Sequence, residues 1–252
     1  MVKKGLCLYD LQYPKHNEGL LGNVDNYIVD NKWDYLIYGG DMLDMDAISH
    51  WSLDGGNNKA LEGKRLKKDY EGFAKILRKH RKLVGKNCEI YFLLGNHEEN
   101  GDRFTDKYPT LEGLIEVINN LPFKELDIKI IPYRQFVKLG KIYFIHGDIQ
   151  QGYQSANHAK KVVETYNRNV VYGHHHTLQA HTKISPVGIE ETHTAYCIPA
   201  LADTNPDWAK DRPNSWLNGF GVFYITDGGN FSVFPIVAIK NSFISPDGKF
   251  YD

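Results

Sequence analysis

The sequence predicts an α/β fold built from layers of sheet and helix. Two observations carry that prediction. Short apolar runs alternate with segments whose apolar residues recur at helical spacing. Several of those runs also end in a polar residue flanked by glycine, as strands do where an α/β sheet opens onto a ligand crevice.

Gly5 to Tyr9 reads as a short buried strand ending at Asp10, and Leu20, Val24, Tyr27 and Ile28 follow at helical spacing. Tyr35 to Tyr38 is a second strand, ending in Gly39-Gly40-Asp41. Asp54-Gly55-Gly56-Asn57-Asn58 reads as a flexible turn. From about Leu61 to Val84 an amphipathic helix carries Leu66, Tyr70, Phe73, Leu77 and Val84 on one face. Ile90 to Leu94 is a third strand, ending in Gly95-Asn96-His97-Glu98. Pro109-Thr110 opens a helix bearing Leu111, Leu114, Ile115 and Ile118. Ile142 to Ile145 is a strand ending in His146-Gly147-Asp148, and Ser155 reads as the N-cap of a helix with Ala159, Val162, Val163 and Tyr166. Val170 to Tyr172 ends in Gly173-His174-His175-His176. Beyond it, Thr192 to Ile198, Gly221 to Thr226 and Phe231 to Val237 read as strands, with Asp227-Gly228-Gly229-Asn230 as a hairpin turn. No repeat, low-complexity segment or linker interrupts the pattern, so residues 1–252 are expected to form a single domain.

Composition narrows the function classes. A net charge of -1, from 30 basic and 31 acidic residues, leaves any polyanion-binding surface to be local. Cys7, Cys88 and Cys197 lie in or beside apolar runs and form no CxxC pair, which suits buried reduced thiols better than a disulfide framework or a zinc site. The N-terminal apolar run is too short for a signal peptide and no stretch reaches membrane-spanning length, so a soluble, cytoplasmic protein is expected.

The strand ends Asp10, Asp41, Asn96, His146, His174 and His176 combine carboxylate, amide oxygen and imidazole, a donor set suited to Mn²⁺, Fe, Zn²⁺ and similar ions. In order, Asp10-Leu11-Gln12, Gly40-Asp41-Met42-Leu43-Asp44, Gly95-Asn96-His97-Glu98, His146-Gly147 and Gly173-His174-His175-His176 resemble the motifs of the calcineurin-like metallophosphoesterases, over about 170 residues. The resemblance implies two mixed β-sheets packed as a sandwich with helices outside. It implies two divalent metal ions, Mn²⁺ first, with Fe, Zn²⁺, Ni²⁺ or Mg²⁺ as alternatives. Asp41 would bridge the ions, Asp10 and His176 would complete one site, and Asn96, His146 and His174 the other. His97 would assist the leaving group, Asp44 would orient His97, and His175 would not be a ligand. The family's first motif has His where this chain has Gln12, whose amide oxygen is a weaker, harder ligand; His16 could compensate by touching substrate or metal. Two cations about 3.5–4 Å apart can ionise a bridging water for attack on phosphorus. The expected activity is therefore phosphoester hydrolysis, as a phosphatase or phosphodiesterase, with a nuclease or a nucleotide diphosphatase as alternatives and a non-catalytic metal-dependent scaffold as the competing class.

Other features stay open between a functional and a structural role. Arg103 either grips a substrate phosphate or is a solvated surface residue. The basic helix over 62–86 is either a solvated face or a strip for nucleic-acid phosphates, so the substrate class spans phosphorylated small molecules, proteins and nucleic acid. His50, His80, His158, His181 and His193 read as structural or solvent-facing. Trp208 and Trp216, among turn residues, either pack at the core edge or form a lip near the site.

Overall fold

The computed structural model describes residues 1–49, 61–148, 157–205 and 214–252. Two mixed sheets dominate it. The first contains β1 (Val2–Leu8), β2 (Tyr35–Tyr38), β3 (Glu89–Leu93), β4 (Ile128–Ile131), β10 (Asn218–Thr226) and β11 (Phe231–Ala238), in the order β11-β10-β1-β2-β3-β4. Strands β1 to β4 run parallel, and β10 and β11 are antiparallel. The second contains β5 (Val137–Leu139), β6 (Ile142–Phe144), β7 (Asn169–Tyr172), β8 (Gln179–Lys183) and β9 (His193–Cys197), in the order β5-β6-β7-β9-β8, with β6, β7 and β9 parallel. A small hairpin pairs β12 (Phe243–Ile244) with β13 (Phe250–Tyr251).

The period-two alternation of strand side chains sorts the core into layers. Leu6, Leu8, Leu36 and Tyr38 face one apolar cluster, shared with helices α1 (Glu18–Val29) and α2 (Leu66–Val84). Their neighbours Cys7, Tyr9, Tyr35 and Ile37 face a second cluster that also holds Ile142, Phe144 and Val171 of the other sheet. Val170 and Tyr172 turn the opposite way, onto helix α5 (His158–Tyr166) through Ala159, Val162 and Val163. Helix, sheet, sheet and helix are thus stacked around three apolar clusters, the sandwich that the motifs imply. Strands buried on both faces explain why the runs read as continuously apolar.

The element readings change in places. The long helix starts at Leu66, after a turn over 61–63. Its buried face is Tyr70, Phe73, Ala74, Leu77 and His80. His80 is fully buried between the Asp25 carboxylate, 2.9 Å from Nε2, and the Tyr38 hydroxyl, 2.8 Å from Nδ1, a structural bridge between both helices and β2. The helix expected from Pro109 is broken: Pro109–Leu111 is a single 3₁₀ turn, Gly113 sits at φ +85°, and a short helix α4 covers only Val117–Asn120. Glu116 caps the break by accepting from the backbone N–H groups of Gly113 and Ile115. A helix α3, Glu99–Lys107, follows β3 without having been read, as do the short strands β4, β5, β8, β12 and β13. The expected turn at 54–58, His50, Ser155 and Trp208 lie outside the described residues. The hairpin turn after β10 forms where expected, with Thr226 N–H donating to Asn230 O at 2.8 Å. All three cysteines are free and buried. Among the described residues, no helix is long and apolar enough to cross a membrane.

Candidate metal centre

Parallel pairing of β1, β2 and β3 brings three strand ends to one edge of the first sheet, and β6 and β7 do the same in the second. The loops that follow are laced together by backbone hydrogen bonds. Asp10 N–H donates to Gly40 O at 3.1 Å, Gln12 N–H to Asp41 O at 2.9 Å, and Gly173 N–H to His146 O at 2.9 Å. Asp10, Gln12, Asp41, His174 and His176 all adopt positive φ, between 50° and 67°. Such backbone costs about 1–3 kcal/mol per residue, is less rare for Asp and His, and clusters at functional sites. Gly95 is required by close approach: a Cβ there would stand 2.2 Å from Asp41 Oδ1.

The predicted residues converge. One atom each of Asp41, His146 and His174 lie within 4.8 Å of one another, a group able to hold a cation. His146 donates through Nδ1 to the Gly39 carbonyl at 3.1 Å. That fixes its ring so that Nε2 faces Asp41 Oδ2 at 3.1 Å and Asn96 Oδ1 at 3.0 Å. On the neighbouring side, Asp10 Oδ2 accepts from His174 N–H at 2.8 Å, while Oδ1 faces His176 Nε2 at 3.4 Å. Gln12 Nε2 lies 3.3 Å from the same His176 nitrogen, and rotating the amide puts its oxygen there instead. Asp10 Oδ1, His174 Nδ1 and His176 Nδ1 are buried without a hydrogen-bond partner. Orphaned oxygen and nitrogen acceptors among these neighbouring residues fit a bound cation, because leaving them unpaired is costly.

The neighbouring charges divide this group. Burial would raise the Asp41 carboxyl, but the facing His146 and His97 imidazoles hold it well below the usual range. Burial would lower His146, and Asp41 outweighs it, raising the imidazole to about 10. Burial and then His146 push His174 down to about 4, keeping it neutral and able to ligate at neutral pH.

His97 stands beside this group, half-buried, with Nε2 3.8 Å from Asp41 Oδ2. Its Nδ1–H donates to the main-chain carbonyl of Asp44 at 2.7 Å, while the Asp44 carboxylate is 3.6 Å away and pairs with Lys15 at 2.6 Å. Asp44 therefore meets His97 mainly through its backbone. Arg103 lines the cavity, with its guanidinium 6.0 Å from the centre of the Tyr133 ring. His16 does not line it: the ring stacks on Tyr13 at 5.1 Å, and its backbone bridges to Ala202. His175 turns away and stacks on His158 at 4.1 Å. On the basic helix, Arg78 pairs with Glu125, Lys79 with Asp25, and Arg81 donates to the carbonyls of Leu126 and Cys88.

One contributor, Glu98, was missed in the sequence. Glu98 is buried, and its carboxylate accepts from Asp41 N–H at 2.9 Å, Met42 N–H at 2.8 Å, Leu43 N–H at 2.9 Å and Gly95 N–H at 2.8 Å. Burial and then Asp41 raise it to about 6. It ties the Asp41 loop to the β3 loop, and its place directly after His97 was the available signal. Trp216 packs on His176 with ring centres 4.3 Å apart, which resolves the open reading of this tryptophan in favour of the lip. The cavity holds ≈ 700 Å³.

No protein-family model matches the chain, and no curated protein matches it. Solved structures similar to it include vacuolar protein sorting 29 from Cryptosporidium parvum, at 14% identity and a TM-score of 0.45, covering 92% of this chain and 96% of that one. A conserved uncharacterized protein, a predicted phosphoesterase, from Streptococcus pneumoniae has 12% identity and a TM-score of 0.36, covering 100% and 94%. The nuclease MPE of Pseudomonas putida has 16% identity and a TM-score of 0.41, covering 92% and 86%. At such identities and TM-scores, the chemistry of this chain has to come from its own residues.

Proposed function

We propose that this chain is a calcineurin-like metallophosphoesterase that hydrolyses phosphoesters at a dinuclear divalent-metal centre. The observation that supports it most is Asp41, whose carboxylate faces His146 on one side and reaches towards His97 on the other, within ligand distance of His146 and His174. In this reading Asp41 serves both ions, Asp10 and His176 complete one site with Gln12 as a weak additional ligand, and Asn96, His146 and His174 complete the other. The mixed donor set favours Mn²⁺, with Fe, Zn²⁺, Ni²⁺ or Mg²⁺ able to substitute. Two bound cations supply charge against the phosphoryl oxygens and lower the pKa of water.

The chain's own residues do the rest. His97, aligned through Nδ1 by the Asp44 carbonyl, presents Nε2 towards the cavity and gives its proton to the leaving oxygen. Burial pushes the His97 pKa down, but Asp41 and Asp44 outweigh it and raise it above the usual imidazole value. Arg103 offers a planar fork to a phosphoryl oxygen.

Turnover of an aryl phosphomonoester, an aryl phosphodiester and an end-labelled oligonucleotide, each with Mn²⁺, tests the reading and separates phosphatase from nuclease. Hydrolysis of none of them, by protein shown to bind the metal, would leave the metal-dependent scaffold as the better account.

A further inference from the structure

His174 and His176 hold backbone conformations that non-glycine residues rarely adopt. Their φ values are 67° and 54°. Such backbone persists where the surrounding structure over-determines it. The residue between them supplies a handle. His175 stacks its ring on His158, the first residue of helix α5, with ring centres 4.1 Å apart and planes 16° from parallel. The edge of the His174 ring lies against His175 at 5.1 Å.

His158 is buried, and both of its ring nitrogens are occupied. Nδ1 lies 2.6 Å from the Tyr172 hydroxyl at the end of β7, and Nε2 lies 2.9 Å from Thr177 Oγ1. A neutral imidazole has one donor and one acceptor, and each hydroxyl can play either part, so the network closes in either tautomer. Thr177 Oγ1 also meets Cys197 Sγ at 3.9 Å, and Cys197 Sγ donates to the Gly173 carbonyl at 3.8 Å. The loop over 173–177 is thus held from behind at both ends and in its middle. His158 serves two of those three points, Thr177 and His175, and takes no part in the chemistry proposed for the cavity.

We propose that His158 is a positioning residue for the metal centre: by clamping His175 and Thr177 it sets the places of His174 and His176 together. This rests on the metal-centre reading above, in which those two histidines serve different ions. One substitution behind the loop should therefore weaken both ions at once, whereas a change at a single ligand such as Gln12 weakens one. Residues that orient metal-ligating histidines from behind change metal affinity about ten- to hundredfold when they are lost.

Calorimetric titration of the metal-free protein with Mn²⁺ tests this. His158→Ala should lower the affinity for each ion by about tenfold or more. His158→Gln, whose carboxamide can donate to one hydroxyl and accept from the other, should recover part of that loss. Val162→Ala removes buried apolar contact from the same helix and leaves the polar clamp in place, so it should lower Tm and keep both affinities. Wild-type affinity for either ion in His158→Ala, or a loss no greater than that in Val162→Ala, overturns the proposal. If the wild type binds no Mn²⁺, the metal-centre reading fails, and hydrogen exchange of the metal-free protein decides the clamp by itself. The N–H groups of Gly173, His174 and His175, which donate to His146 O, Asp10 Oδ2 and Gly173 O, should exchange about tenfold faster in His158→Ala than in Val162→Ala, the scale of one lost hydrogen bond. Equal rates in the two variants overturn it.

Discussion

The two sheets contribute opposite chemistry to one cavity. The first delivers oxygen: the carboxylates of Asp10 and Asp41 and the amide of Asn96, from the ends of β1, β2 and β3. The second delivers nitrogen: His146, His174 and His176, from the ends of β6 and β7. Neither sheet alone holds a complete donor set. The Asp41 to His146 contact and the Asp10 to His176 contact both cross the sandwich. The cavity thus depends on packing of the shared apolar layer, where Tyr9, Ile37 and Leu93 of one sheet meet Phe144 and Val171 of the other. The halves also differ in how they are held: the oxygen side by Glu98 and its backbone hydrogen bonds, the nitrogen side by ring contacts and the carbonyl of Gly39.

The contrast can be broken most severely at its centre. Asp41→Asn removes a carboxylate that faces His146 across the sandwich and His97 on its own side, so bound metal measured by elemental analysis should fall and kcat/KM should drop by about a thousandfold, the scale of several kcal/mol of lost charge stabilisation. Retention of full metal content would show that the halves bind independently. Next comes the contrast between His97 and Asp44. His97→Asn should keep the metal and lower kcat about a hundredfold. Asp44→Asn keeps the carbonyl that aligns His97 and should lower kcat less than His97→Asn does. Equal losses would mean that the Asp44 carboxylate does the aligning. Glu98→Gln probes the oxygen half. Weakening its charge-assisted bonds should cost about 2 kcal/mol, lower Tm by about 4–8 °C, and weaken metal binding about tenfold by titration.

The smallest effect concerns pH and belongs to the nitrogen half. Burial, and then the His175 and His174 imidazoles, hold His158 down to about 4. In the unfolded chain a histidine takes up its proton at about 6.5. Stability from the neutral ring is therefore fully present above about 6.5 and is lost as pH falls towards 4. Tm should decline over that window, and His158→Gln should flatten the decline. An identical slope in the variant would assign the loss to other groups.

Much of this was legible in the sequence. The strands ending at Asp10, Asp41, Asn96, His146 and His174 could be read because each is a short apolar run stopped by a polar group, with glycine beside all but Asp10, a local signal. The helix break at Gly113 was not, because a periodic apolar pattern continues through it and one positive φ with a Glu116 cap decides otherwise. Strands β5 and β8 escaped because they are short flanking strands whose exposed positions blur the pattern. His16 was a reasonable candidate by proximity to Gln12, yet stacking on Tyr13 keeps it off the cavity wall.

The sequence by itself determined which polar groups sit at which strand ends, since identity and local spacing are properties of adjacent residues. Tertiary structure decided which imidazole faces which carboxylate, that Asp44 meets His97 through its carbonyl, that Glu98 binds the Asp41 loop, and that Trp216 walls the cavity. Those relations join residues about 40 to 165 positions apart, and only closing the two sheets over a common core sets their distances.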